Sequence, residues 1–291
     1  MLALGAAIVV GVVAFASLAT AHLGVLTLTS VIVGSGALLL VLIALLTLSG
    51  HRPRVVWDLP GLAVMAGALV VALWFYLPGF HYGAGDRDPG GYVMHAIAMA
   101  RGHSYDFIDP VLAQGLPVQV SSPDARFPGV WIADGATGRI VPQFYHLWPA
   151  LLATSWNVGG WEGIASTTPF VGIVALLLAV TLARRVAAGS GVVGGLASLT
   201  AASATGLLLG TNMLQVWQAK YPTSEMLAQL LFTAALLGTV LAVQTRWRWP
   251  AGVVGLLVGI GYLNRADGLL IVLGFIAVSY THLTLPTNRE V

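Results

Sequence analysis

The chain is 291 residues long, with thirteen Lys and Arg against eleven Asp and Glu for a net charge of +2. Of its residues 57% are hydrophobic and only 8% charged. A soluble domain runs near a quarter charged, so no soluble fold can hide this much apolar surface, and the scattered basic residues form no stripe of the kind that binds nucleic acid. There is no cysteine, which excludes disulfides, thiolate metal sites and thiol nucleophiles.

An α-helix needs about eighteen or more apolar residues to cross ~30 Å of hydrocarbon. Runs of this kind extend over Leu2–Thr20, Leu23–Leu48, Gly61–Leu77, Ile164–Leu182, Val192–Leu209 and Met226–Val243, with a shorter one at Ala251–Leu263 and another from Leu269 onward. The first lacks the basic leader of a signal peptide and is followed almost at once by the second, so it reads as a retained helix. The expected fold class is all-α, a polytopic transmembrane bundle of about seven to eight spans whose large outer loop carries interfacial helices.

Orientation follows from the basic residues near helix ends, which are retained on the cytoplasmic side. The clusters at His51–Arg54, Arg184 with Arg185, and Arg246–Arg248 fall on one side if the runs alternate. The reading is thus a multi-pass cell-membrane protein with a cytoplasmic N-terminus, and with Pro78–His146, Thr211–Glu225 and Asn264–Asp267 facing outward. The alternation holds only if Phe144–Trp156, apolar but too short to span, does not cross. It reads as an interfacial or re-entrant helix with Trp148 and Trp156 at headgroup depth. Gly90–Arg101 reads as a helix lying flat on the membrane, with Tyr92 or Val93, Ile97 and Ala100 along one side.

Three outward stretches hold the residues that can do chemistry. In GDRDPGGYV, Asp86 and Asp88 sit in a permissive backbone where two carboxylates offer a base, or ligate a divalent cation; alternatively Asp88-Pro89 merely starts a turn. In QAKYPTSE, Lys220 is the only lysine of the chain and sits against the positive-inside bias, suited to a headgroup-level phosphate or to snorkelling beside the bilayer. Thr223 or Ser224 there is a candidate helix cap, and Tyr221 and Glu225 are further site candidates. In NRADG, Arg265 either pairs with Asp267 or serves as a fork for a lipid-linked phosphate, since ionisable groups so near membrane depth mark a site or an internal pair. Tyr92 and His146, in and beside the first outer loop, complete the candidates. The candidate cofactor is a divalent cation, Mg or Mn, on Asp86 and Asp88. The histidine spacings match no metal-ligand pattern, and the glycine-rich runs lack the Lys-Ser/Thr of a nucleotide loop.

The stretch from Val278 to Val291 interrupts an apolar helix with polar sequence, and its first ten residues are what the transposase adapter of shotgun sequencing encodes. It is expected to be non-native, with the native frame leaving off near Ala277. The chain thus divides into 1–60, two additional N-terminal helices; 61–277, a core that includes the outer loop 78–146; and 278–291, the tail.

In their order and spacing, GDRDPGGYVMHAIAMARGHSYDFIDP, PQFYHLWPALLA, KYPTSEMLAQLL and GLLVGIGYLNRADGLL resemble the GT-C superfamily of membrane glycosyltransferases, in particular its protein-mannosyltransferase-like actinobacterial branch. The resemblance implies an inverting transfer of a sugar from a polyprenyl-phosphate donor to a hydroxyl of a glycan or protein acceptor at the outer membrane face. Asp88, or Asp86 beside it, is then the base, and Arg265 and Lys220 bind the departing phosphate. A transporter or flippase of lipid-linked saccharides would need polar residues along a path through the spans, which are nearly free of charge. A non-catalytic membrane scaffold would not explain why the polar groups gather on one face.

Overall fold

The computed structural model describes residues 2–48, 58–83, 88–114, 126–127, 130–189, 195–245, 249–270, 272–274 and 276. Asp86, the basic clusters 51–54 and 246–248, and the tail 278–291 lie outside them.

Helix accounts for 79% of the described chain, which makes the molecule a helical bundle. Its long helices are α1 (Leu2–His22), α2 (Leu28–Leu48), α3 (Leu59–Tyr76), α6 (Leu147–Ala188) and α9 (Glu225–Thr245). Among the described residues these five are long and apolar enough to cross a membrane, which fits a multi-pass membrane protein. Two shorter apolar helices join them, α7 (Leu196–Gly210) and α10 (Trp249–Asn264). Helical backbone resumes at Gly268.

Small residues set how closely these helices approach. A side chain at Gly206 would meet Ala68 of α3 and Val180 of α6, and one at Gly11 would meet Leu231 of α9. The main core joins α1, α6, α9 and α10, with Leu4, Ala7 and Ala14 of α1 packed in the same cluster as Leu152, Leu230 and Leu257. By contrast α2 keeps few buried positions, Val31 and Ser35.

The 42-residue α6 is not one rod. Gly159 and Gly160 leave helical geometry, Gly160 at a φ of 56° that glycine adopts without steric cost. Thr167 Oγ1 donates to Ser155 Oγ at 2.7 Å, although twelve residues of continuous helix would separate them by about 18 Å. The chain therefore doubles back. A short arm, 147–158, lies against a long arm, 161–188. The bare Cα of Gly163 accommodates the Ser155 carbonyl. Trp148 Nε1 in the short arm donates to the Pro222 carbonyl at 3.2 Å, and Glu162, just past the bend, faces His81 at 3.3 Å.

The ends of α3, α6 and α9 gather at the opposite pole. Asp58 caps α3 through the Gly61 N–H and forms an ion pair with Arg184. Gln244 Nε2 donates to the carbonyls of Arg185 and Gly189, each at 3.0 Å.

The loop between α3 and α6 departs from the all-helical expectation. It holds α4 (Asp88–Gly102) and the one-turn α5 (Pro110–Ala113), but also a small antiparallel sheet. Its strands are β1 (Phe107–Ile108), β2 (Arg126–Phe127), β3 (Val130–Asp134) and β4 (Arg139–Pro142), in the order β1-β4-β3-β2. The reason is turn chemistry. Asp134 accepts from the Ala136 N–H and the Thr137 hydroxyl, and Gly138 sits at a φ of 71°, so the DGATG run closes a hairpin. A second unforeseen element is α8 (Met213–Lys220), an eight-residue helix capped by the Asn212 side chain.

Candidate functional site

Helix α4 begins at Asp88, whose carboxylate occupies the first turn where the helix dipole favours negative charge. Asp88 is exposed, but the helix behind it is packed: Tyr92, Val93, Ala96, Met99 and Ala100 are buried against the bundle. His95 is buried as well, against Phe144, rather than on a solvent face. Phe144 also packs on Tyr92 at 4.7 Å, an approach that Gly91 permits because a Cβ there would lie 2.9 Å from the Phe144 ring.

One turn along from Asp88, the Tyr92 hydroxyl lies 3.2 Å from Ser224 Oγ. Ser224 is fully buried and joins three elements. Its hydroxyl accepts from Arg265 Nη1 at 3.3 Å, and its carbonyl accepts from Asn264 Nδ2 at 3.0 Å. Arg265 follows the last residue of α10, placed by the tight turn in which the Gly268 N–H donates to its carbonyl. Its Nη1 also donates to Glu225 Oε1 at 2.7 Å, and its Nε donates to Asp267 at 3.1 Å. Burial works against the Arg265 charge, yet the bonds to Asp267 and Glu225 outweigh it and raise the guanidinium pKa above its ordinary value. The Tyr92 phenol pKa is raised above its ordinary value. Burial is the main cause, partly offset by its bond to Ser224, with Glu225, Arg265 and Asp88 all close enough to act on it.

Four of the candidates, Tyr92, Glu225, Arg265 and Asp267, thus come together around Ser224 at one end of the bundle, with Asp88 one helical turn from Tyr92. The remaining candidates sit apart from that cluster. Lys220 ends α8 with its ammonium 5.8 Å from the Phe80 ring, and its carbonyl accepts from the Phe80 N–H. Tyr221 packs edge-on against Phe80 and Tyr82. His146 precedes α6 and stacks on Tyr105, which in turn stacks on His22 at 4.4 Å. Burial lowers the His146 pKa, and His22 adds to the effect. Asp86 lies outside the described residues.

No protein family, curated protein or solved structure matches the chain. Its chemistry is therefore read from these side chains alone. Arg265 meets two carboxylates, with a third in Asp88 one turn from Tyr92, so the cluster carries an excess of acid. Among the described residues no three His, Asp or Glu side chains are grouped to hold a metal ion. Two residues that the sequence reading passed over are central: Ser224, seen there only as a cap, and Asn264, seen only as part of NRADG. The signal for both was their adjacency to Glu225 and Arg265.

Proposed function

We propose that the chain is a membrane glycosyltransferase, or the membrane part of one, that takes a sugar from a polyprenyl-phosphate donor at the bundle end formed by α4, Ser224 and Arg265. The observation that supports it is the Arg265 cluster: a guanidinium at the end of an apolar helix, within one network with the phenol one turn from Asp88. A planar fork of donors suits a phosphate. An acid at the edge of the same cluster suits a base for an incoming hydroxyl. The glycosyl phosphate brings its own leaving group, so one base and one cation suffice.

On this reading an arriving lipid phosphate replaces Asp267, the more exposed of the two acids on Arg265, at 55% of its side chain against 40% for Glu225. Glu225 stays and keeps the guanidinium aimed. Asp88 takes the proton of the acceptor hydroxyl as its oxygen bonds to the anomeric carbon and the bond to the phosphate oxygen breaks. Lys220 lies on the same connection and adds positive charge at headgroup level. The site then faces away from the cytoplasm, because Arg184 and Arg185 mark the other pole. Cysteine placed at the exposed Ala136 is expected to react with an impermeant thiol reagent in intact cells. Reaction only after lysis reverses the orientation.

The test is donor binding. The chain in lipid nanodiscs is expected to bind mannosyl decaprenyl phosphate, and Arg265→Ala to weaken that binding at least about tenfold, the loss of a charge-assisted contact. Equal binding by both proteins, or none by either, sinks the reading.

A further inference from the structure

Two acceptor atoms beside Ser224 have no partner of their own. Asn264 is 1% exposed. Its amide orientation is fixed by chemistry, since the Ser224 carbonyl is only an acceptor and must face Nδ2. That leaves Oδ1 buried without a hydrogen bond. Glu225 is next along the chain from Ser224. Its Oε1 is taken by Arg265, while its Oε2, on a side chain 40% exposed as a whole, is buried and without a partner. Buried acceptors are nearly always satisfied in folded proteins, so an exception calls for a reason. Two exceptions flanking one serine call for a shared one.

We propose that Asn264 Oδ1 and Glu225 Oε2 are hydroxyl-reading positions, which accept hydrogen bonds from O–H groups of the sugar ring carried by the donor lipid. The inference rests on the reading of the site given above and names the part of the ligand those two atoms select. A neutral polyol fits better than a cation. A positive charge at the enclosed Asn264 would be poorly solvated with only an amide oxygen to meet it. A phosphate is excluded there, because two acceptors repel its oxygens. The division of labour is therefore one of polarity. The donors of Arg265 take the phosphate, and the two free acceptors near them take the hydroxyls. Sites that hydrogen-bond a hydroxyl discriminate strongly against ligands without one, since their own polar groups are then left unpaired.

The experiment compares two probes on the full chain in nanodiscs, mannosyl decaprenyl phosphate and bare decaprenyl phosphate. The unaltered protein is expected to prefer the glycosylated lipid. Asn264→Leu, near in volume but without an acceptor, is expected to lower that preference about tenfold, the value of one hydrogen bond made good. Glu225→Gln places a donor or an uncharged acceptor where the free carboxylate oxygen was, and is expected to lower the preference too. Arg265→Ala should weaken both lipids together and leave the ratio between them. Asn264→Gln, which keeps both an amide donor and an amide acceptor, is expected to recover part of the preference lost in Asn264→Leu and so separates recognition from a folding defect. If the ratio is unchanged in both Asn264→Leu and Glu225→Gln, the hydroxyl-reading assignment is wrong while the lipid-phosphate reading stands. If the unaltered chain binds neither lipid, both fall.

Discussion

Each end of this bundle holds an arginine near the end of an apolar helix, and the two are used differently. Arg184 meets one carboxylate, Asp58, which also caps α3, and the contact sits over Gly61, where a side chain would collide with the guanidinium. One charge faces one charge, and the result ties the start of α3 to the end of α6. Arg265 meets Glu225 and Asp267 together, shares Ser224 with a phenol, and leaves two acceptors beside it unused. A pair of one acid and one base is a fastener, even though Arg184 Nε beside it makes no hydrogen bond. A cluster with surplus acid and spare acceptors has something left to bind.

The sharpest way to break the comparison is at Asp88, which has no counterpart at the Arg184 end. Asp88→Asn is expected to cut sugar transfer about hundredfold or more, the usual worth of a general base, while donor binding persists. Loss of binding in parallel with transfer would make Asp88 a ligand contact rather than a base.

Exchanging the test between the two arginines comes next. Arg184→Ala should cost stability, about 2 kcal/mol for a hydrogen-bonded ion pair, read as a lower unfolding midpoint, with lipid preference unmoved. Arg265→Ala should weaken lipid binding as well as cost stability, since its removal leaves Glu225 and Asp267 without their shared cation. If both variants lose only stability, both ends are fasteners.

The smallest expected effect is one of pH, at the ring stack of His22, Tyr105 and His146. Burial depresses the His146 pKa below its ordinary 6.5, so the unfolded chain takes up the proton more readily than the folded one. The sign is then fixed: stability is full above about pH 6.5 and is lost as pH falls from there through the folded value. Asp58, Asp106 and Asp134, whose pKa values are lowered from 3.8, lose their contributions only in more acid solution. A fall of a few degrees in the thermal midpoint between pH 7 and pH 5, absent in His146→Asn, is the expected result. An unaltered pH profile in that variant would place the titration elsewhere.

The helices were legible because hydrophobic length is a one-dimensional property. The runs around α1, α3, α9 and α10 need only be counted, and the gathering of Asp58, Arg184 and Gln244 at one pole follows from their alternation. The hairpin of β3 and β4 was missed although Asp134-Gly135 and Gly138 announce its turn, because the surrounding apolar composition drew attention to helices. Helix α8 is too short and too mixed to register beside true spans. In the site, Arg265 and Glu225 stood out as charges in an apolar chain. Ser224 and Asn264 carry no charge, and their importance lies in contacts between residues about 40 positions apart, which no local pattern contains.

The bend at Gly159 and Gly160 also turns the long arm of α6 into a gauge of bilayer thickness. Twenty-eight residues of helix, 161–188, measure about 42 Å, whereas its apolar stretch Ile164–Leu182 measures about 28 Å, close to the hydrocarbon depth. An upright arm therefore projects little at the Glu162 end and about 9 Å at the other, the end that holds Arg184 and Arg185. In a thicker membrane the arm has no spare apolar length to give. The mismatch falls on those two arginines, and the Asp58 fastener is the contact that would feel the pull.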